Sequence, residues 1–291
     1  MKAYMMFICF ALHIYAAPLK VLVSVPPQKE IIESIGGEFV EVRVLVPPSK
    51  SPEIYEPSVA QMKHIADSVI FFGVGMPFES VWFKRFKQSS PALLYYNLAE
   101  HTHEHSAHSH DKHNHAHNPH IWLSPKGMQE QVTLIANALS EQDSAHADIF
   151  KARALRLNQE LQNIVERTTR LFSLPQAQKT FLVYHPAFEG FARDFNVQEL
   201  SLEIDGKEAK GRALSALLDE VKAKQIKVVF IQPQFAKARV EGFAKEAGLA
   251  IIELNPLRED WLLSLQENAC QIAFSLPLSA ISACMQTYFK E

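Results

Sequence analysis

The sequence predicts an α/β protein in which two parallel-sheet lobes are joined by one long rigid helix. Strand-like and helix-like segments alternate in both halves of the 291-residue chain, and this alternation is typical of mostly parallel sheets. Between the halves, residues 144–172 run for 29 residues without Gly or Pro. A third observation, a tract dense in histidine, indicates that the protein handles metal but does not place the selective site, which the two-lobe fold class puts in the cleft between the lobes.

The first residues have the pattern of a cleaved secretory signal peptide. Lys2 precedes an apolar run that ends at Leu12, and small residues follow at Ala16 and Ala17. Such a segment is too short to span a membrane. Residues 1–17 are therefore predicted to be removed on export, and the rest of the chain has no apolar run long enough for a transmembrane helix.

Residues 18–142 are predicted to form the first lobe. Pro26 and Pro27 introduce its first helix, and Gly36 ends it. The strand-like runs are 19–25, 39–46, 68–75 and 92–98, and the helix-like segments are 28–37, 58–68 and 78–86.

A helix is predicted from Ser124 to about Phe172, and its part over residues 143–173 is interpreted as a spine that links the lobes. A coiled-coil dimer arm is the alternative, but the apolar stripe is too irregular for sustained heptads. The stripe consists of Ile149, Leu155, Leu157, Leu161, Ile164 and Val165.

Residues 174–291 repeat the alternation and are predicted to form the second lobe. The strand-like runs are 180–184, 197–202, 226–232 and 249–254, the helices between them are 188–195, 213–223 and 238–248, and two more helices follow Glu259. Two α/β lobes on an exported chain are typical of a binding protein that clamps a ligand between them.

The cysteines leave one question open. Cys9 lies in the signal peptide and lacks the small-residue context of a lipidated cysteine, so export leaves Cys270 and Cys284. An oxidising compartment permits a disulfide between them. A continuous helix would hold them about 21 Å apart, but a break at Pro277 would bring them closer.

The densest signal for metal is the segment 101–120, which contains nine of the 13 histidines. Its gaps hold Thr, Ser, Ala, Asn and charged residues, so we interpret 101–119 as a disordered loop. A spacer with incidental histidines is the alternative. The predicted accessory, low-affinity metal ligands are His101, His103, His105, His108, His110, His113, His115 and His117.

A selective site is expected where parallel strands end, because ligands of open α/β sheets bind at the carboxyl ends of strands. Polar residues at or near such positions are Glu53, His185 and Asn255, and His120 precedes the long helix. These four lie too far apart in sequence for spacing alone to define a site. Glu203 is read as part of a turn in SLEIDGKEAKG, with a lobe-closing contact as the alternative.

Five segments carry a resemblance to a known family. The chain resembles the metal-specific periplasmic binding proteins of zinc and manganese ABC importers over essentially its whole mature length. The segments are VEVRVLVPPSKSPEIYEPS, NPHIWLSP, FLVYHPAFEGFARDFN, FIQPQFAKARVEGFAKEAG and LNPLRED, in that order. The resemblance implies two α/β lobes joined by one long rigid helix, in agreement with the fold predicted from the pattern.

The resemblance also implies a ligand set. Glu53 stands where the family usually has histidine, His120 and His185 match the second and third ligands, and Asn255 stands where many members have Asp. Two imidazoles and one carboxylate satisfy a tetrahedral zinc site with a fourth position left over. Because a neutral amide is a poorer ligand than a carboxylate, Asn255 is assigned either a ligand role or a hydrogen bond to a ligand.

The implied function is capture of Zn(II), the transported ligand, and its delivery to an inner-membrane ABC permease with a cytoplasmic ATPase. The protein is expected to be periplasmic, monomeric, not membrane-embedded and not an enzyme. A net charge of −3 gives no reason to expect nucleic acid as a partner.

Three alternatives stay open. The first is a manganese or nickel protein of the same importer class, although manganese favours more oxygen ligands than this set offers. The second is a secreted zinc hydrolase, in which Glu56 is the sequence-local candidate for the general base. The third is a metal-storing or adhesive surface protein that works through the histidine tract alone.

Overall fold

The computed structural model describes residues 17–101, 119–204 and 206–290. Most of the predicted signal peptide and the tract histidines from His103 to His117 lie outside this range. The first half contains a parallel four-stranded sheet in the order β2-β1-β3-β4. Its elements are β1 Leu19–Val23, α1 Pro27–Gly36, β2 Val40–Val44, α2 Val59–Ala66, β3 Ile70–Gly73, α3 Pro77–Ser89 and β4 Leu94–Asn97.

The chain then passes through α4 Pro125–Gln142 and α5 Ala147–Ser173. The prediction of one continuous helix from Ser124 is wrong at Asp143, whose backbone (φ −137°, ψ 79°) ends α4. The Asp143 carboxylate also contacts His146 Nδ1 at 2.6 Å, and the two helices pack against each other. The linking helix itself is confirmed: α5 contacts α1 of the first half and α6 and α9 of the second half.

The buried stripe of α5 differs from the predicted one. Ile149 and Leu155 are 39% and 74% exposed, whereas Phe150 and Ala154 lie in the core. Phe150, Ala154, Leu157 and Leu161 follow the three- and four-residue spacing of a single helix face. The buried face of the helix therefore includes Phe150 in place of Ile149 and Ala154 in place of Leu155.

The second half contains another parallel sheet, in the order β10-β9-β5-β6, and a short antiparallel hairpin, β7–β8. Its elements are β5 Thr180–Val183, α6 Glu189–Phe195, β6 Gln198–Ser201, β7 Glu203–Ile204, β8 Lys207–Glu208, α7 Arg212–Ala223, β9 Val228–Ile231, α8 Ala238–Ala247, β10 Ala250–Glu253 and α9 Trp261–Phe274.

The core explains why the strands of this sheet are nearly continuous apolar runs. Side chains alternate across a strand, so Phe181 and Val183 of β5 join the main cluster beside α5. Leu182 and Tyr184 join a second cluster on the opposite face, against α7 and α8. Both faces are covered, as a parallel sheet requires.

Among the helices that the structure describes, none combines the length and the apolar character that a membrane span needs.

The open cysteine question is answered by a disulfide between Cys270 and Cys284, whose Cα atoms lie 6.0 Å apart. Helix α9 ends at Phe274, and Ser275 adopts a left-handed conformation with φ of 53°. The chain then reverses through Pro277, so that the short helical segment Ser282–Cys284 returns to α9. The bond fastens the C-terminal segment to the helix that packs on α5.

Removal of this disulfide by a Cys270→Ser/Cys284→Ser double substitution is expected to lower the free energy of unfolding by about 3 kcal/mol. The bond joins residues 14 apart in sequence, and closing a loop of about 15 residues stabilises a protein by roughly that amount. Urea unfolding of the oxidised protein and the double variant measures the difference. An equal unfolding midpoint for both would contradict the prediction.

Candidate metal site

Glu53 comes from the loop that follows β2 in the first lobe. Pro52 opens a single helical turn, Pro52–Ile54, which fixes the backbone on which the carboxylate stands. The hydroxyl of Ser51 donates a hydrogen bond to Glu53 Oε2. The side chain is 24% exposed, and its second oxygen, Oε1, contacts the other two side chains of the cluster.

His120 precedes the turn Ile121–Leu123 that leads into α4. It is buried, and its ring packs edge-on against Trp122 at 5.3 Å between centroids. The Trp122 indole donates to Pro256 O at 2.7 Å, and the Trp261 indole donates to Trp122 O at 2.7 Å. Two indole hydrogen bonds thus fasten the His120 segment to the second lobe.

His185 follows β5 in the second lobe, and the buried amide of Gln232 fixes its backbone on both sides. Gln232 Nε2 donates to His185 O at 2.7 Å, and His185 N donates to Gln232 Oε1 at 3.3 Å. The Phe235 ring covers the imidazole at 5.3 Å between centroids. Ala187 lies two residues after His185, and its backbone N donates to Glu199 Oε1 at 3.1 Å. The loop that carries His185 is therefore fixed by its neighbours.

The three predicted residues meet although they come from distant parts of the chain. Glu53 Oε1 lies 2.9 Å from His120 Nε2 and 3.1 Å from His185 Nε2. One ligand atom from each residue lies within 4.8 Å of the other two. Ligand atoms of a tetrahedral zinc ion stand about 3.3 Å apart, so small side-chain movements would admit an ion.

The cavity at this point is small. Only about 10 Å³ is open to the centre of a water-sized sphere, which is room for about one such sphere. The Pro256–Leu257 segment of the second lobe forms part of its wall. The cavity is lined by Ser51, Pro52, Glu53, His120, His185, Ala187, Gln232, Gln234, Phe235, Pro256 and Leu257.

Charge is distributed unevenly over the three side chains. Burial opposes ionisation of Glu53, but hydrogen bonds and charge from both histidines outweigh it and hold the pKa of Glu53 well below its usual range. Burial lowers the pKa of His120 against the pull of Glu53. Burial also opposes protonation of His185, but contacts with Glu53 and Glu203 outweigh it and raise the pKa of His185. The site thus joins an ionised carboxylate to one imidazole that favours its neutral form.

Asn255, the predicted fourth residue, is placed elsewhere. Its Oδ1 accepts from Leu257 N at 3.0 Å, and its side chain lines a second cavity together with Glu253, Arg258 and Asn268. The local hydrogen bond turns the chain so that Leu257 lines the metal-site cavity instead. The structure therefore brings three of the four predicted residues together and separates the fourth from them.

One contact was missed from the sequence. Glu203 Oε2 lies 2.7 Å from His185 Nδ1, and Glu203 is only 6% exposed. The interpretation as part of a turn is incomplete, because Glu203 begins β7 and also touches a candidate ligand. A signal was available: Glu203 directly follows the predicted strand 197–202, as His185 follows 180–184.

Two parallel-sheet lobes on a long helix, with two imidazoles and a carboxylate converging between them, define a two-lobed metal-binding protein. The chain belongs to the family described as zinc-uptake complex component A, periplasmic (ZnuA), whose model matches residues 21–274. This match covers most of both lobes and all three converging side chains.

Relatives and solved structures agree with this membership. The zinc-binding protein AdcA of Streptococcus pyogenes serotype M3 is 28% identical over 261 residues, covering 82% of this chain and 50% of AdcA. The manganese-binding lipoprotein MntA of Halalkalibacterium halodurans is 24% identical over 236 residues, covering 80% of this chain and 77% of MntA. The chain thus spans about half the length of AdcA.

The fold is shared with crystal structures of ZnuA. One has a TM-score of 0.80 at 32% identity, covering 88% of this chain and 98% of that one. A zinc-bound deletion mutant of ZnuA has a TM-score of 0.78 at 30% identity, covering 87% and 95% of the two chains. The two-lobe architecture predicted from the sequence is confirmed.

Proposed function

We propose that this protein captures Zn²⁺ as a solute-binding protein and that Glu53, His120 and His185 are its ligands. The observation that carries the proposal is the convergence of these three side chains from three separate segments within 4.8 Å. Two imidazole nitrogens and one carboxylate oxygen suit tetrahedral zinc, with a fourth position for water. Asn255 is assigned no ligand role, because its amide is engaged elsewhere.

We infer zinc rather than manganese from the donor set. Manganese prefers oxygen-rich coordination, whereas imidazole suits zinc, copper and nickel. The similarity to a zinc-bound ZnuA structure supports this choice, and the similarity to the manganese-binding lipoprotein MntA makes manganese the first competitor to test.

We further propose that the protein works in the periplasm and delivers zinc to an inner-membrane ABC permease driven by a cytoplasmic ATPase. The family description, a periplasmic component of a zinc-uptake complex, supports this. The signal-peptide pattern of residues 1–17 points to export as well. We propose that the exported protein acts as a monomer.

The binding assignment is tested by zinc affinity, measured in competition with a chelator, for the wild-type protein and for His120→Ala and His185→Ala. Both substitutions are expected to abolish tight binding of a single zinc ion. His64→Ala is the matched control, since His64 is an exposed histidine of α2 that contacts Arg43. Retention of full affinity by both site variants would overturn the assignment, and tighter binding of Mn²⁺ than of Zn²⁺ would overturn the choice of metal.

We infer that the protein is not an enzyme. A hydrolase needs room for substrate beside the metal, whereas only about 10 Å³ of this cavity is open to the centre of a water-sized sphere. It also needs a base near the metal-bound water, and Glu56, the candidate from the sequence, is exposed and does not line the cavity. Zinc-dependent hydrolysis of an ester or peptide that is lost in His185→Ala would contradict this inference.

We propose an accessory role for the histidine tract, whose side chains from His101 to His117 are not among those that the structure describes. Deletion of residues 101–117 is expected to remove weak additional zinc sites and to leave one tight site, because the three proposed ligands lie outside the deletion. Zinc titration of the deletion variant by calorimetry measures both classes. Loss of the tight site with the tract would favour a metal-storing protein instead.

The zinc affinity is expected to fall with decreasing pH, by about tenfold per pH unit once His185 is protonated, because the proton and the metal compete for one nitrogen. Since the pKa of His185 is raised from 6.5, the fall should begin above that value. Chelator competition from pH 8 to pH 5.5 measures it. An affinity that stays constant over this range would exclude His185 as a ligand.

A further inference from the structure

We infer that Glu203 is a positioning residue of the metal site, which fixes the ring of His185 and supplies the second negative charge that a divalent ion requires. This inference rests on the proposed function, since it concerns how His185 binds metal. It deepens that function by naming a residue outside the ligand set on which affinity depends.

The placement of Glu203 follows from the strand order. β5 and β6 are parallel neighbours, and His185 and Glu203 come just after their carboxyl ends. Glu203 N donates to Tyr184 O at 2.9 Å, so the backbone of Glu203 is hydrogen-bonded to the residue before His185. The hydroxyl of Ser201 donates to Glu203 O at 2.7 Å. The side chain is thus held beside the imidazole by main-chain contacts.

The imidazole ring of His185 lies between the carboxylates of Glu53 and Glu203. His185 Nε2 faces Glu53 Oε1 at 3.1 Å, and Nδ1 faces Glu203 Oε2 at 2.7 Å. Glu203 therefore contacts the nitrogen that points away from the other ligands and does not join the ligand group. When Nδ1–H donates a hydrogen bond to Glu203, the neutral ring carries its lone pair on Nε2, where the metal is expected.

The charge balance gives Glu203 a second role. A Zn²⁺ ion bound by Glu53 and two neutral imidazoles keeps one net positive charge in a largely buried place, which is unfavourable. Glu203 is 6% exposed and touches a ligand directly. Its carboxylate therefore completes a neutral site, a role that the neutral side chain of Asn255 does not fill.

Three variants separate the hydrogen bond from the charge. Glu203→Gln keeps an oxygen that accepts from Nδ1 but removes the charge, Glu203→Ala removes both, and Glu208→Gln removes a charge from the same hairpin. Loss of such an outer partner typically costs about 10- to 100-fold in metal affinity. Zinc affinity is expected to fall by this amount in Glu203→Ala, to a smaller extent in Glu203→Gln, and not measurably in Glu208→Gln.

A second measurement reports the ring directly. Histidine ring NMR spectra of the zinc-loaded protein are expected to show a protected Nδ1–H for His185 in the wild type and in Glu203→Gln. This signal should be lost in Glu203→Ala, while backbone amide spectra show that the fold is kept. Equal zinc affinity in all variants, or an equal loss in Glu208→Gln, would overturn the inference.

The same experiment distinguishes failure of the inference from failure of the function. If wild-type protein binds zinc tightly, His185→Ala does not, and the Glu203 variants match the wild type, only the role of Glu203 is wrong. If His185→Ala binds zinc as tightly as the wild type, the proposed ligand set is wrong, and the inference about Glu203 falls with it.

Discussion

Replacement of Glu53 by alanine is expected to lower the zinc affinity by about 100- to 1,000-fold. A structural zinc site provides about 10–16 kcal/mol of binding free energy, so each of its four coordination positions contributes roughly 2.5–4 kcal/mol. Glu53 Oε1 also lies within 3.1 Å of both imidazoles. Its loss therefore removes a proposed ligand and the carboxylate that contacts both histidines.

Chelator competition measures the effect, and two variants make it specific. Glu53→Gln keeps the shape of the side chain without the charge and should bind zinc with intermediate affinity. Glu56→Ala, three residues along the same loop and exposed, should bind like the wild type. If Glu53→Ala binds zinc as the wild type does, the carboxylate is not a ligand and another group must occupy its place.

The alternation of segments was sufficient to predict the fold because both sheets are parallel and covered on two faces. Such strands are nearly continuous apolar runs, and all eight predicted strands are found in the two sheets. The break at Asp143 was missed because no Gly or Pro marks it. There a side-chain contact with His146 and the packing of α4 on α5 compensate for the interrupted helix.

The candidate site was predicted in part. His185 follows a strand end directly, and Glu53 and His120 were supported by the family resemblance. Asn255, predicted either as a ligand or as a group hydrogen-bonded to one, lies apart from these three residues because its Oδ1 accepts from Leu257 N, and no strand pattern reveals such a bond. Glu203 directly follows a predicted strand, where a site residue is expected, but its sequence context is also that of a turn. Sequence alone did not show that β5 and β6 are adjacent.

The buried carboxylate of Glu79 in the first lobe is expected to contribute to the stability of the fold rather than to metal binding. Glu79 of α3 is 1% exposed and accepts hydrogen bonds from four donors that lie in or just after three strands. They are Ser24 Oγ at 2.6 Å, Val74 N at 3.0 Å, Gly75 N at 3.0 Å and Tyr95 OH at 2.8 Å. Burial, together with the charge of Glu79, raises the pKa of Tyr95, so the phenol stays a donor.

Glu79→Ala is expected to lower the free energy of unfolding by about 3–5 kcal/mol, because it leaves buried donors without their charged acceptor. Gly73 has no side chain, and a Cβ there would clash with the carboxylate, so the carboxylate lies directly against the backbone of β3. Tyr95→Phe removes one of the four bonds and should cost about 1–2 kcal/mol. Ser80→Ala, at an exposed serine on the same helix, should cost little. Urea unfolding measures all three, and a Glu79→Ala protein as stable as Ser80→Ala would show that the carboxylate does not hold the strand ends together.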